Sequence, residues 1–398
     1  MKTVIMAGGK GTRVAGINSE IPKSMFRIAG KPVLEHQIDC LRRQGIDDIT
    51  LAIGHLGNVI KSHFGNSLKY IEEEEPLGTV GALYYLKDKG QDDVLLINGD
   101  VIFDIDIKRF IKSHENNDGL VTIFTHPNDH PYDSGIVVAD SNGKVTKWFT
   151  KEDERGWYRN RVNAGLHILS KEIVGRFTEA KKTDLDRDNL KPLINENALY
   201  IYDSPEYVKD MGTHERIKET ERDILNGVVL AKNLERKQKA LFIDRDGTIN
   251  KYVGFLRNID DFELNNEAVE LIKSANREGR LVIVITNQPV IARGEVSWEQ
   301  LDEIHNKMET LLGQRGAYVD GIFICPHHPD KGFSGERVEY KIECECRKPK
   351  PGLLLEAAEK FNIDFSQSIM VGDSESDIEA GESAGCDTML FNPNVSYI

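Results

Sequence analysis

An apolar run ending in two aspartates one residue apart, Phe242-Ile243-Asp244-Arg245-Asp246-Gly247-Thr248, lies past the midpoint of this 398-residue chain. A strand that ends on carboxylates and then turns on glycine opens an α/β unit, so a second fold must start near residue 240. The residues before it begin with a glycine-rich loop of their own, Met6-Ala7-Gly8-Gly9-Lys10-Gly11-Thr12-Arg13, directly after a short apolar stretch. Two separate sites for handling phosphate are therefore expected in one polypeptide.

Residues 3–7, 49–54, 94–98 and 120–125 are short aliphatic or β-branched runs, separated by helical patterns such as 33–44. The alternation restarts at 240–243 and continues through 281–285, 321–324 and 368–371, so both halves read as α/β. Between them, residues 214–239 are rich in Glu, Lys and Arg and predict a terminal helix that stops at Asn226-Gly227 and runs into a linker. The expected domains are 1–228 and 239–398, joined by a linker at 229–238. No fixed-period repeat occurs, and Glu72 to Glu75 read as a solvated face.

Hydrophobic content of 39% and charged content of 29% suit a globular protein of this length. No apolar stretch is long enough for a membrane span, and the run after Lys2 reads as a buried strand, not a signal peptide, so a cytoplasmic protein is expected. A net charge of −14 repels nucleic acid and anionic lipid, which leaves small-molecule partners. Basic groups that meet an anion must be concentrated locally, with Arg13, Lys23, Arg347 and Lys348 as candidates. Of five cysteines, three crowd between 325 and 346, a pattern that favours metal binding over disulfides, while Cys40 and Cys386 read as small buried hydrophobes.

Glycines 8, 9 and 11 after a strand let backbone amides approach an anion. Their spacing is neither GxGxxG nor GxxxxGK[ST], which disfavours a dinucleotide oxidoreductase and a P-loop ATPase. Arg13, Pro22-Lys23 and Leu96-Ile97-Asn98-Gly99-Asp100 join them, the last delivering a carboxylate at a strand's C-terminal end, where sheet ligands bind. Taken singly, Asp100 could instead cap a helix, Lys23 could be a surface charge, and Asp104 and Asp106 read as solvated or structural. Together, GGKGTR, IPKSM, GKPVLEH, EPLGTVGAL and NGD, in this order over roughly residues 1–225, resemble the sugar-1-phosphate nucleotidyltransferases, in particular the heptose 1-phosphate guanylyltransferases.

The resemblance implies a Rossmann-like, GT-A-like mixed sheet and an enzyme that joins a nucleoside triphosphate to a sugar 1-phosphate with release of pyrophosphate, assisted by Mg²⁺. It implies that Ala7, Gly8, Gly9 and Gly11 cradle the nucleotide, and that Arg13 and Lys23 hold the triphosphate. Asp100 and Asp210, the latter in Val208-Lys209-Asp210-Met211-Gly212-Thr213, would bind the metal. Gly78 and Thr79 would lie along the nucleobase, with GTP favoured by the EPLGT pattern. Asn163-Ala164-Gly165 would contact the sugar, and Lys151 stands where a family lysine meets the sugar phosphate, although the usual EKP is TKE here. Such transferases often self-associate, so a homo-oligomer is open.

In the second half, one carboxylate of Asp244-x-Asp246 can act as a nucleophile and the other can donate and accept a proton. A strand ending in Thr286-Asn287, then Arg347-Lys348-Pro349, then Gly372-Asp373 complete an order that resembles the haloacid dehalogenase-like phosphatases over residues 240–390, with a Rossmannoid parallel sheet. The resemblance implies that Asp244 forms an aspartyl phosphate and Asp246 is the general acid and base. Thr286, Asn287 and Lys348 would hold the phosphoryl group, and Asp244, Asp373 and the carbonyl of Asp246 would bind Mg²⁺. Asp377 would support that metal from outside.

Cys325-Pro326-His327 and Cys344-Glu345-Cys346 offer four ligands of the type and number a structural zinc site needs, with His328 outside the set. DRDGTIN, TNQ, IARG, CPHHP and CECRKPKPG together resemble one branch, the D-glycero-D-manno-heptose 1,7-bisphosphate 7-phosphatases, with Arg293 and Arg347 then reaching the other phosphate or the hydroxyls. Pro289-Val290 after TNQ and Ser374 after Asp373 depart from that branch. Removal of the 7-phosphate would leave a sugar 1-phosphate, the compound the first half would consume, which predicts consecutive steps toward a nucleotide-activated heptose. The alternatives are a hexose 1-phosphate transferase fused to an unrelated phosphatase, or one half serving as a regulatory or scaffold module.

Overall fold

A computed structural model describes residues 1–8, 20–73, 75, 77–86 and 92–395. The chain divides into two compact units: Met1–His126, Val137–Trp148 and Asn163–Asn233 form the first, and Pro127–Ile136, Phe149–Val162 and Leu234–Ile398 the second.

The first unit is built on a nine-stranded mixed sheet. Lys2–Met6 lies parallel between Ile49–Ile53 and Val94–Asn98, with Thr3 opposite Ile49 and Leu95. Val162–Leu169 runs antiparallel to Val94–Asn98 and extends the sheet on that side. Aliphatic side chains at successive positions go to opposite faces, so Ile5, Leu51 and Ile97 join one core and Val4, Ala52 and Leu96 the other. The helix Val33–Arg43 follows Pro32 and covers the first face with Leu34, Ile38 and Leu41 at helical spacing. Its sequence-predicted extent, 33–44, differs by one terminal residue. The strand order changes direction at Lys2–Met6, and Ala7-Gly8 and Gly99-Asp100 follow the adjacent strands Lys2–Met6 and Val94–Asn98 at the end where sheets of this kind bind ligands.

The second unit holds a five-stranded, all-parallel sheet in the order Gly321–Cys325, Leu281–Asn287, Ala240–Ile243, Ile369–Gly372, Asp387–Leu390. Its central strands are buried on both faces, as parallel strands covered by helices are. Asp244 follows the middle strand, while Thr286 and Asp373 come from the ends of the strands on either side of it.

The helix Trp298–Gln314 starts at a capping box between Ser297 and Gln300. Stretches 127–136 and 149–162 pack into the same unit. The backbone N–H of Tyr158 donates to Thr310 Oγ1 at 2.9 Å, and Arg161 donates to Glu309 at 3.0 Å, with both side chains 1% exposed. Residues 226–238 are not a bare tether. Gly227 turns the chain at φ 75°, a short helix Val228–Ala231 buries Val229, and Leu234 is buried in the second unit's core. Among the described residues no helix is long and apolar enough to cross a membrane.

Candidate active sites

Lys348 is the hub of the second unit's site. Its ammonium donates to Asp244 Oδ1 at 2.5 Å and to the carbonyl of Ile285 at 2.8 Å, and it pairs with Asp377 Oδ1 at 2.5 Å. A two-point clamp sets its backbone: Asn287 Nδ2 donates to the Lys348 carbonyl and the Lys348 N–H donates to Asn287 Oδ1, each at 3.1 Å. Burial opposes the charge on Lys348, yet Asp244 and Asp377 raise its pKa above the usual lysine value. Burial first, and then Asp377 and Asp246, push the Asp244 carboxyl above the ordinary carboxylate range, with Lys348 pulling the other way. Asp373 is raised by burial and by Asp377.

One carboxylate oxygen each of Asp244, Asp373 and Asp377 lie within 4.8 Å of one another, slightly wider than the ~4.1 Å between opposite corners of a Mg²⁺ octahedron, so a small closing movement would bring them to such an ion. More negative charge converges here than one lysine balances, so the donor set fits a divalent cation. Asp377, expected outside such a shell, stands in the cluster. Gly247 makes this approach possible: it sits at φ +90°, and a Cβ there would meet an Asp373 oxygen at 1.9 Å.

A cavity of about 320 Å³ opens over these groups, lined also by Asp246, Thr286, Phe255 and Arg347. Its size is that of a small-ligand site. Arg293 is not in the lining. Its guanidinium is stacked between the rings of Phe255 and Phe333, 4.2 and 4.6 Å from their centroids. Arg347 donates to the His327 carbonyl at 3.3 Å and so ties the cavity to the cysteine cluster.

Cys325, His327, Cys344 and Cys346 converge with all ligand atoms within 4.8 Å. The sulfurs are 3.2 to 3.6 Å apart, and His327 Nδ1 is 3.2 Å from Cys346 Sγ. Tetrahedral ligands 2.3 Å from a metal are separated by about 3.8 Å, so a three-sulfur, one-nitrogen set of this size fits a metal with little adjustment. His328 Nδ1 accepts instead from the Asp330 N–H at 3.3 Å.

In the first unit Lys23 and Asp100 meet at 2.6 Å, although they are far apart in sequence. Asp210 lies opposite Val101 in an antiparallel pair, next to Asp100, and the Met211 N–H donates to the Asp100 carbonyl at 2.8 Å. Arg216 holds the Asp210 carboxylate at 2.7 Å. Gly78 and Thr79 are exposed, with Thr79 Oγ1 accepting from the Leu185 N–H at 2.7 Å. Gly165 sits at φ +76° against Asn98, whose amide nitrogen a Cβ would meet at 2.4 Å. Asn163 Oδ1 accepts from the Gly165 N–H, and Asn163 Nδ2 donates to Asp186 Oδ2, both at 3.1 Å.

Asp104 and Asp106 are structural: Asp104 pairs with Arg43 and Asn233, and Asp106 caps the helix Ile107–Glu115. Lys151 is exposed and meets Glu152 at 3.8 Å. Gly9, Gly11 and Arg13 lie outside the described residues.

Three polar residues were not read from sequence. Gln288 donates to Asp246 and to Thr286 Oγ1, each at 2.8 Å. Arg245, between the two aspartates, is fully buried against Asp246. Asp186 supports Asn163 and stands 3.6 Å from the buried His167, whose pKa burial pushes down to about 4. Gln288 is the last residue of the TNQ motif and could have been found there; Arg245 and Asp186 give no local signal.

Residues 2–227 match the family model described as nucleotidyl transferase, and residues 345–396 match the HAD-hydrolase-like model. The D-glycero-beta-D-manno-heptose-1,7-bisphosphate 7-phosphatase of Pasteurella multocida is 43% identical over 148 residues, 37% of this chain and 77% of that protein. The D-glycero-alpha-D-manno-heptose-1,7-bisphosphate 7-phosphatase of Burkholderia mallei is 41% identical over 155 residues, 39% of this chain and 80% of the relative. The solved structure of HddC from Yersinia pseudotuberculosis covers 56% of this chain and 99% of its own, at 26% identity and a TM-score of 0.49. The chain belongs to the nucleotidyl transferase family over residues 2–227 and to the haloacid dehalogenase-like heptose-bisphosphate 7-phosphatases over its second part, and so combines a transferase and a phosphatase.

Proposed function

We propose that the second unit removes the 7-phosphate of D-glycero-D-manno-heptose 1,7-bisphosphate and that the first transfers GMP from GTP to the resulting heptose 1-phosphate. The observation that carries this reading is the pairing itself. A phosphatase part similar to enzymes whose product is a sugar 1-phosphate shares one chain with a member of a family that consumes such products. The functional modules are 1–228 and 239–398, and the reactions run in the cytoplasm on small molecules. Relatives named for the α and the β anomer are about equally similar, so the substrate assay decides the anomer.

In the phosphatase, Asp244 attacks phosphorus, the P–O bond to C7 breaks, and Asp246 gives its proton to the leaving oxygen and later takes one from water. Lys348, with Thr286 and Asn287, holds the phosphoryl oxygens, and Arg347 at the rim faces the rest of the sugar. Asp244, Asp373 and the carbonyl of Asp246, with Asp377 beside them, would hold Mg²⁺, which lowers the repulsion between an anionic nucleophile and an anionic ester. Cys325, His327, Cys344 and Cys346 would hold a structural Zn²⁺ that fixes the loop carrying Arg347 and Lys348.

In the transferase, the sugar phosphate itself is the nucleophile. Lys23 and Arg13 hold the triphosphate, and Asp100 and Asp210 would hold Mg²⁺ at it. Gly78 and Thr79 flank the base, and Asn163 and Gly165 meet the sugar. Asp100→Asn is expected to slow pyrophosphate release by roughly 10²–10³-fold, as loss of one charge-stabilising group does, and to leave phosphate release unchanged. A coupled pyrophosphate assay reads the first effect and a phosphate assay the second.

The reading is tested with a panel of sugar bisphosphates, heptose 1,7-bisphosphate in both anomers and hexose 1,6-bisphosphates, by kcat/KM for phosphate release. A preference of at least about tenfold for a heptose, the discrimination that one or two substrate contacts provide, is expected. Equal rates across the panel defeat the heptose assignment.

A further inference from the structure

Asp246 does not reach into the phosphatase cavity as a solitary carboxylate. Its Oδ1 accepts from Arg245 Nε at 3.1 Å, and its Oδ2 accepts from Arg245 NH2 at 2.5 Å and from Gln288 Nε2 at 2.8 Å. The arginine is its immediate chain neighbour, yet its side chain is 0% exposed, unusual for a residue of this type. The third guanidinium nitrogen, NH1, donates to His305 Nε2 at 3.0 Å. Burial, then Arg245 and Arg159, hold the His305 pKa well below the usual value, and because a guanidinium can only donate, Nε2 is the accepting nitrogen of this contact. His305 is fixed in turn on the helix Trp298–Gln314, whose same face carries Glu309 four residues on.

We propose that Arg245 is a positioning residue for the general acid–base Asp246, and that His305 locks Arg245 in place. The proposal rests on the reading of Asp246 as the group that protonates the leaving oxygen. A planar fork fixes both oxygens of the carboxylate and therefore its direction, which a point charge cannot do. That plane holds Asp246, which lines the cavity together with Asp244 and Lys348, in one orientation. Once Asp244 has bonded to phosphorus and the P–O bond breaks, the proton must cross from Asp246 to the departing oxygen. Proton transfer tolerates little misplacement. Neither Arg245 nor His305 touches substrate in this arrangement.

The test separates a need for a proton donor from a general loss of structure. Formation of the phosphoryl-enzyme is followed in single turnovers with Mg²⁺, once with the preferred sugar bisphosphate, an alkyl ester, and once with 4-nitrophenyl phosphate, whose leaving group departs without a proton. Arg245→Gln is expected to slow the alkyl ester by about 10²-fold, the usual worth of a positioned acid. It should leave KM for that ester and the rate with the aryl ester within about threefold. Arg245→Lys should behave like Arg245→Gln, because it restores charge but not the fork.

Asp246→Asn is the control. If it shows no selective loss on the alkyl ester, the assignment of Asp246 fails. If it does and Arg245→Gln slows both esters equally or neither, the positioning role is overturned. Should Arg245→Gln fail to fold, His305→Leu decides: a selective loss of roughly tenfold supports the lock, and an unselective or absent loss overturns it, while His305→Gln, which keeps an acceptor, should restore the rate.

Discussion

Asp244→Asn stops phosphate release, with an expected loss of about 10³-fold or more in kcat, while pyrophosphate release from heptose 1-phosphate and GTP continues at the original rate. The size follows from the role. An amide at this position cannot form the acyl phosphate, and loss of a nucleophile from a catalytic set costs about as much as loss of the set. The substitution preserves shape, and the Asn oxygen still accepts from Lys348, which donates to Asp244 at 2.5 Å, so the fold should survive. Lys348 would then face Asp377 with one anionic partner fewer. Independence of the other activity follows because no transferase group named above takes part in the phosphatase cluster. A still-folded Asp244→Asn protein that had lost both activities would contradict two separate sites. Parallel phosphate and pyrophosphate assays on one preparation read both.

Metal removal from the cysteine cluster is the second large effect. The loop from 326 to 351 has little regular structure, a short turn of helix at Val338–Tyr340, with partly buried Cys344 and Cys346 packed on one core cluster and Tyr340 on another. Such a segment gains little order from burial, and a metal held by Cys325 on a sheet strand together with Cys344 and Cys346 would supply the missing tie. Chelation, or Cys346→Ser, should destabilise the second unit by on the order of 5 kcal/mol, which for a unit of this size lowers its unfolding midpoint by roughly 10–20 °C. Because Arg347 and Lys348 follow the last ligand directly, phosphatase activity should fall before the unit unfolds. Differential scanning calorimetry with and without chelator, together with metal analysis, checks this. About one zinc per chain is expected; an unchanged midpoint with no bound metal removes the site.

The parts of this architecture that were legible in sequence share one physical cause. Strands such as Ala240–Ile243 and Leu281–Asn287 are buried on both faces, so they must be continuous aliphatic runs, and the residues after them must be functional or turn-forming. That placed Asp244, Thr286 and Asp373 at neighbouring strand ends. The cysteine cluster was legible because metal ligation demands particular residue types. The missing parts depend on partners distant in sequence.

Residues 149–162 pack into the second unit through Arg161 and Glu309, and nothing near Arg161 announces a partner 148 positions away. Arg245 between two aspartates carries no local sign of burial, and only the fold reveals it buried against Asp246 and His305. Likewise, Asp186 acquires meaning only where Asn163 meets it.

The most direct measurement incubates the protein with heptose 1,7-bisphosphate, Mg²⁺ and each common nucleoside triphosphate in turn, and identifies products by mass spectrometry. The account predicts phosphate, pyrophosphate and GDP-heptose with GTP, and predicts that Asp244→Asn makes GDP-heptose from heptose 1-phosphate but not from the bisphosphate. No nucleotide sugar with any triphosphate, or undiminished product from the bisphosphate in Asp244→Asn, would contradict it.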